Sequence, residues 1–197
     1  IGVSGAFTQF SSDGTETIKS SGTKTSKTQD EVVVVPSIFI EVANDNGLAI
    51  GLDFMPIEAE LGSGTNARAD TDTDDASDTA GNNKVSAELT SHTTLYLSKS
   101  LGDNGAYLKG GLAMATIDTT ETLATGSKYG NEDVTGFLIG LGMNKDINNG
   151  KFFRTELTYT DYQDVTINGT ADSDGVRNKI DADIDAVAFR ISIGKAF

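Results

Sequence analysis

The sequence predicts an all-β fold, an eight-stranded antiparallel up-and-down transmembrane β-barrel with short turns at one end and long loops at the other. Three observations predict it. Tight connections rich in Asn, Asp and Gly, at 44–47, 102–105 and 146–150, alternate with long apolar-poor ones at roughly 11–30, 60–84, 118–132 and 164–181. The stretches between them alternate large apolar with small or polar residues at period two, the signature of a strand with two unlike faces. The sequence also closes on an aromatic, Phe197, at the end of such a stretch.

Taken in order, the strands are expected at 1–10, 31–43, 48–59, 85–98, 106–117, 133–144, 151–163 and 183–197. The second carries the run Val32–Val35. In the third, Leu48, Ile50, Leu52 and Phe54 oppose Ala49, Gly51, Asp53 and Met55. The fourth fits least well, since Ser91 and Thr93 fall on its apolar face; either their hydroxyls bond to backbone or the register shifts there. The fifth sets Leu108, Leu112 and Met114 against Tyr107, Lys109 and Ala113. The sixth sets Phe137, Ile139, Leu141 and Met143 against Gly136, Leu138, Gly140 and Gly142. The last sets Val187, Phe189, Ile191 and Ile193 against Ala188, Arg190, Ser192 and Gly194.

Composition fits this fold and excludes competitors. The 197 residues form one domain, 1–197, with 37% hydrophobic residues and a mean hydropathy of −0.22. No apolar run reaches the roughly 18–20 residues of a membrane helix, whereas barrel strands present only alternate residues to lipid. Cysteine is absent, so disulfides and thiolate metal sites are excluded; two prolines and 22 glycines suit a turn-rich β chain. A strand begins almost at Ile1, with no charged leader before it, and the chain is expected to be mature. The net charge of −14 argues against nucleic acid as a partner, and acids such as Asp70, Asp72, Asp74, Asp75 and Asp78 read as a solvated loop.

The direction of the alternation matters, because a soluble barrel alternates too. There the second face meets water and should be rich in Lys, Glu, Thr and Gln. Here it is mostly Gly, Ala and Ser with about one charge per strand, which suits a crowded lumen. The large apolar face is therefore expected to meet lipid. The inner face would then hold Glu41, Asp53, Glu88, Lys109, Arg154, Glu156 and Arg190. Charges of both signs in a narrow interior point to an ion-pair network, since an unpaired buried ion costs several kcal/mol; a conduction path is the alternative. Phe153 and Phe197 at the short-turn end, with Phe7, Phe54 and Tyr159 toward the long-loop end, read as interfacial girdles.

No motif carries strong chemistry. His92 is the one histidine, without an accompanying nucleophile pattern, and reads as a network member. The run from Asp70 through Asp72 to Asp74 resembles the start of a calcium loop. It lacks the turn glycine at Asp75 and the bidentate Glu at Gly81, leaving a weak metal candidate. Gly136, Gly140 and Gly142 lack the helix and Lys-Ser/Thr of a phosphate loop, and share one strand face as a packing pattern. Asn168-Gly169-Thr170 is a sequon without consequence in a bacterial surface loop. No cofactor is expected.

Residues 151–165, with Arg154-x-Glu156 and Tyr159 to Tyr162, resemble the penultimate strand of small outer-membrane barrels of the OmpA, OmpX and opacity-protein group. Residues 136–147 resemble the preceding strand and turn. Residues 188–197, with Phe189, Ile191, Ile193 and Phe197, are similar to the terminal signal read by the outer-membrane assembly machinery, with Lys195 where an apolar residue is usual. The resemblance implies a Gram-negative outer-membrane protein with both termini in the periplasm and its long loops outside the cell. It implies membrane lipid, lipopolysaccharide and the assembly machinery as partners, with the acidic loops free to meet a surface partner. The expected role is structural or surface-exposed and non-catalytic, such as display or adhesion. A narrow porin-like channel comes second and a lipid-modifying enzyme third. A peptidoglycan-binding domain of the longer OmpA type is not expected.

Overall fold

A computed structural model of the protein describes residues 1–18, 22–68, 81–122, 128–170 and 178–197. Ten strands build one ring: β1 (Gly2–Ile18), β2 (Thr23–Ala43), β3 (Leu48–Phe54), β4 (Ala59–Arg68), β5 (Gly81–Ser100), β6 (Ala106–Thr122), β7 (Glu132–Asn148), β8 (Lys151–Tyr162), β9 (Val165–Asn168) and β10 (Lys179–Lys195). Each main strand pairs antiparallel with its chain neighbour, and β1 closes the ring on β10 from Gly2 opposite Gly194 to Thr17 opposite Lys179. Closure removes the free edges that hydrocarbon does not tolerate. Two staves are each made of two strands, β3 with β4 and β8 with β9, so ten strands give eight staves.

The faces follow the predicted parity. Val3, Phe7, Ile38, Ile40, Leu52, Leu108, Phe137, Ile139, Leu141, Ile191 and Ile193 are exposed on the outside. Inside, Ala6, Ala113, Tyr96, Leu138, Arg154, Glu156 and Ser192 are buried. An exposed apolar band around a ring with a charged interior is a lipid-spanning wall, not a soluble barrel. The phenyl girdle positions lie outward as well, with Phe7 60% and Phe197 98% exposed.

The tight turns are built from asparagine. Asn44 Oδ1 accepts from the backbone N–H groups of Asn46 and Leu48 at 3.0 and 3.1 Å, and Asn104 Oδ1 accepts from that of Ala106 at 3.0 Å. Asn149 and Gly150 have φ of 55° and 73°, the left-handed pair that matches strand twist in a two-residue hairpin.

Three strand expectations are corrected. The ladders run on into the polar segments. β1 reaches Ile18 and β2 begins at Thr23, so the 21-residue β2 far exceeds the roughly 9–11 residues that cross a bilayer. The third stave does not run unbroken to residue 59; it stops at Phe54 and resumes at Ala59, because Pro56 has no N–H to give the ladder. The last strand ends at Lys195, leaving Phe197 beyond it. The misfit in the fourth stave is a bulge: Ser91 has φ of 52°, and the β5–β6 register shifts between Thr90 and Thr93.

Glycines on the inner face make room for rings. A Cβ on Gly142 would fall 2.3 Å from Tyr107 Cζ, and one on Gly51 the same distance from Tyr96 Cζ. Each aromatic therefore lies flat across the neighbouring strand.

Candidate functional site

Among the described residues, buried polar chemistry gathers in the lumen. It has two parts, a charged plug toward the short-turn end and an apolar chamber toward the other.

The plug is held by residues from seven strands. On β8, Arg154 reaches across the barrel to Glu41 of β2 in a bidentate pair, Nη1 to Oε2 and Nη2 to Oε1, both at 3.0 Å. Its guanidinium carbon lies 5.1 Å from the ring centres of Tyr107 and Phe152 and 5.6 Å from that of Phe39. Tyr96 Oη donates to Glu41 Oε2 at 3.1 Å. One turn of the pleat higher, Lys109 Nζ meets Glu156 Oε1 at 3.0 Å and sits 3.9 Å over the Tyr96 ring. Arg190 Nη1 donates to Asp53 Oδ2 at 2.5 Å, to Ser37 Oγ at 2.8 Å and to Ser4 Oγ at 3.1 Å, while its Nε lies 4.0 Å from Glu156. Ser37 Oγ also donates to Asp53 at 2.9 Å.

Six of the seven charged residues expected inside are thus brought together as three pairs, Lys109–Glu156, Arg154–Glu41 and Arg190–Asp53. Glu88 is corrected. The bulge at Ser91 sets the two halves of β5 at opposite parity, so Leu89 is buried while Glu88 turns outward between Glu60 and Asp118. Without Glu88 the plug holds three acids and three bases, and each of these charges has a partner. Mutual attraction then offsets a desolvation cost that neither ion could bear alone.

His92 lies just above, with Nε2 3.0 Å from Tyr162 Oη in a near-perpendicular ring contact. Between these two, Asp53 and Arg190 the free space is only about 40 Å³, too small for a solute. Sequence reasoning set Tyr107 on the inner face but gave no role in the plug to the rings of Phe39, Tyr96, Tyr107 and Phe152. Their signal was inward parity next to a glycine on the neighbouring strand.

Above His92 the interior becomes apolar. A cavity of about 330 Å³ is lined by Leu61, Val85, Ala87, Ile117, Ile167 and Ile184 among others. Over it lies Tyr129, buried, from the β6–β7 connection. Its Oη donates to Glu16 Oε1 of β1 at 3.0 Å, and its backbone N–H donates to Glu121. Burial and the Glu16 carboxylate push the Tyr129 phenol well above its usual range.

Just above the apolar band, outward acids crowd together. Asp185 faces Ser11 and Asp161 across its two ladders, with Asp13, Asp30 and Asp183 beside it. Partial burial and then these carboxylates raise its pKa. Among the described residues no group of three or more His, Cys, Asp or Glu is placed to hold a metal ion. Asp70, Asp72 and Asp74 lie outside the described residues. Phe189, Ile191 and Ile193 of the expected assembly signal are outward and exposed beside the closing seam.

No family model matches the sequence, and no curated protein matches it. Solved structures do. The outer membrane protein OprG from Pseudomonas aeruginosa is similar with a TM-score of 0.57 at 13% identity, over 99% of this chain and 97% of that one. The outer membrane protein AlkL in lipid bilayers gives 0.45 at 14% identity, over 99% and 91%. The attachment invasion locus protein Ail of Yersinia pestis gives 0.37 at 10% identity, over 96% and 98%. With its closed ring of eight staves, outward apolar band and charged interior, the chain has the fold of the small outer-membrane β-barrel proteins.

Proposed function

We propose that the protein is an integral outer-membrane barrel of a Gram-negative bacterium that does not conduct and has no catalytic role. Its short turns face the periplasm, and it works at the cell surface through the tall strands and acidic loops that display or attach to a partner there. The charged plug carries this reading. Three ion pairs and four aromatic rings fill the lower lumen, and eight strands enclose an interior only wide enough for side chains. The height of β2 and β5 supports a role outside the membrane, since much of each stands beyond the apolar band. Lipopolysaccharide and the outer-membrane assembly machinery are the partners that such a location entails.

Planar-bilayer recording tests it. The reconstituted protein is expected to give no unitary currents at any holding potential, and protease added to intact cells is expected to cut between β4 and β5 while sparing the 44–47 turn. Discrete currents that disappear in an over-filled variant such as Gly51→Leu would instead favour a narrow pore.

A further inference from the structure

Above the level of His92 the ring divides, and it does so at two places. Among the described residues β4 pairs with β5 but has no ladder with β2, and β9 pairs with β10 but has none with β7. The β2–β3 ladder stops at Ile38 opposite Phe54, and the β7–β8 ladder stops at Gly136 opposite Tyr162. Counted round the eight staves, one seam lies between the second and third and the other between the sixth and seventh. The seams are therefore diametrically opposite. Each half is a leaf of four staves: β4 with the outer parts of β5, β6 and β7, and β9 with the outer parts of β10, β1 and β2. Within the leaves the ladders run on, to Lys84 opposite Thr122 in the first and to Ile18 opposite Thr23 in the second.

Both seams start from joints of the same build. Five steps from Phe54 to Ala59 stand opposite four from Thr93 to Leu89, and four from Asp161 to Val165 stand opposite three from Asp185 to Ala182. One extra residue bends the strand that carries it. His92 Nε2 meets Tyr162 Oη at 3.0 Å across the interior, which puts the two joints at one level, just above the plug. Beyond that level no chain connection runs from leaf to leaf. The β4–β5 and β6–β7 connections stay within the first leaf, and the β1–β2 and β9–β10 connections within the second.

Among the described residues the leaves meet at few points. At one seam Gln29 packs on the bare backbone of Gly62, but it gives its amide N–H to Glu31 on its own strand at 3.0 Å. At the other, the backbone N–H of Gln163 donates to Thr135 O at 2.9 Å, at the joint itself. A cavity of about 330 Å³ lies between the inner faces, so they do not meet across the middle. They meet at the top. Tyr129, carried by the first leaf, donates its Oη to Glu16 of the second at 3.0 Å. Beside it the Thr170 N–H donates to Lys128 O at 2.7 Å, and the Lys128 N–H to Thr170 Oγ1 at 2.9 Å. Two stiff bodies joined through a few residues at element ends are the arrangement that turns as a hinge.

We propose that the outer half of the barrel is a two-leaf jaw. The leaves part at the cell-surface end about the joints at 54–59 and 162–165, with Tyr129 on Glu16 as the catch, while the plugged ring below stays closed. The motion goes beyond surface display and does not depend on which partner the loops meet.

The absence of cysteine allows a clean test with paired spin labels on the whole chain in lipid nanodiscs. Thr17→Cys with Thr120→Cys labels the two leaves near their tops, on the opposite strands β1 and β6. Val3→Cys with Leu112→Cys labels the same two strands within the lipid-facing band. Double electron–electron resonance should give the upper pair a second, longer distance and the lower pair a single narrow one. Tyr129→Phe keeps the ring but removes the hydroxyl. It should raise the ratio of longer to shorter upper distance about fivefold, the worth of one hydrogen bond, and leave the lower pair unchanged. A single upper distance in both the parent and Tyr129→Phe would overturn the jaw, and a second distance that Tyr129→Phe leaves unchanged would overturn the catch. Equal broadening of both pairs would overturn the jaw as well, because the whole barrel would then be softening instead of two leaves turning on a closed ring.

Discussion

Arg154 and Glu41 lie 113 positions apart in the chain, yet they form a two-point contact across the barrel, with both nitrogen–oxygen distances at 3.0 Å. Arg154 is 7% exposed. Removing it strands a carboxylate in the lumen beside Tyr96. Arg154→Ala should therefore destabilise the barrel by about 3–5 kcal/mol, the range for breaking a buried pair. Arg190→Ala should behave alike through Asp53. Urea unfolding in lipid vesicles measures both, and unchanged midpoints for the two variants would mean a lumen wet enough to screen these charges.

Gly142, inward at the plug, and Gly110, outward on the neighbouring strand, differ in what surrounds them. Gly142→Ala forces its methyl onto the Tyr107 ring, at 2.3 Å from Cζ, whereas Gly110→Ala meets nothing nearer than 3.8 Å on the lipid side. The first should cost about 1–3 kcal/mol, as over-packing does, and the second close to nothing. Equal unfolding midpoints for the two would show that the rings are not packed as described.

How much of this was legible in the sequence depends on period two. Parity alone places Glu41, Asp53, Lys109, Arg154, Glu156 and Arg190 inside, because a strand with one lipid face has no freedom to slip. It fails at Glu88 because one extra residue at Ser91 puts the side chains before it out of step with Thr94, Tyr96 and Ser98 after it, and no composition marks that insertion. The break after Phe54 did have a mark, Pro56, inside an otherwise regular alternation. The upper halves of β1 and β2 were hidden for another reason. Thr15, Thr17, Thr23, Thr25 and Thr28 favour strands, but without an apolar face they show no alternation. The roof at Tyr129 depends on Glu16 from the far end of the chain, which no local pattern records.

The acidic collar should respond to pH. An unfolded Asp titrates near 3.8, and Asp185 is raised above that in the folded chain by partial burial and by Asp183, Asp161, Asp13 and Asp30. In the window above 3.8 the folded state holds more protons than the unfolded one, so stability falls as pH rises through it. Asp185→Asn should then be more stable than the parent at neutral pH and indistinguishable from it once the pH is below 3.8. Denaturation midpoints at the two pH values decide; an Asn variant less stable at neutral pH would refute the repulsion.

The end of the chain should matter to insertion more than to stability. Phe189, Ile191 and Ile193 face outward on β10, and Phe197 follows beyond it, 98% exposed. Deleting Phe197 should slow membrane insertion and leave periplasmic chain, while Lys195→Leu should be neutral or helpful. Heat-modifiable gel migration of pulse-labelled protein measures the rate, and normal kinetics without Phe197 would remove it from the assembly signal.

The plug joins β2 to β8, β3 to β10 and β6 to β8, and none of these pairs are ladder neighbours. No hairpin can make such a pair by itself. Each ion must stay hydrated until the sheet has curled far enough to bring opposite arcs together, so loss of that water and joining of β1 to β10 become one event. A half-curled intermediate would carry six solvated charges toward lipid with nothing yet to neutralise them. The bilayer therefore rejects every stage but the finished ring, and the barrel is expected to enter it in a single all-or-none step.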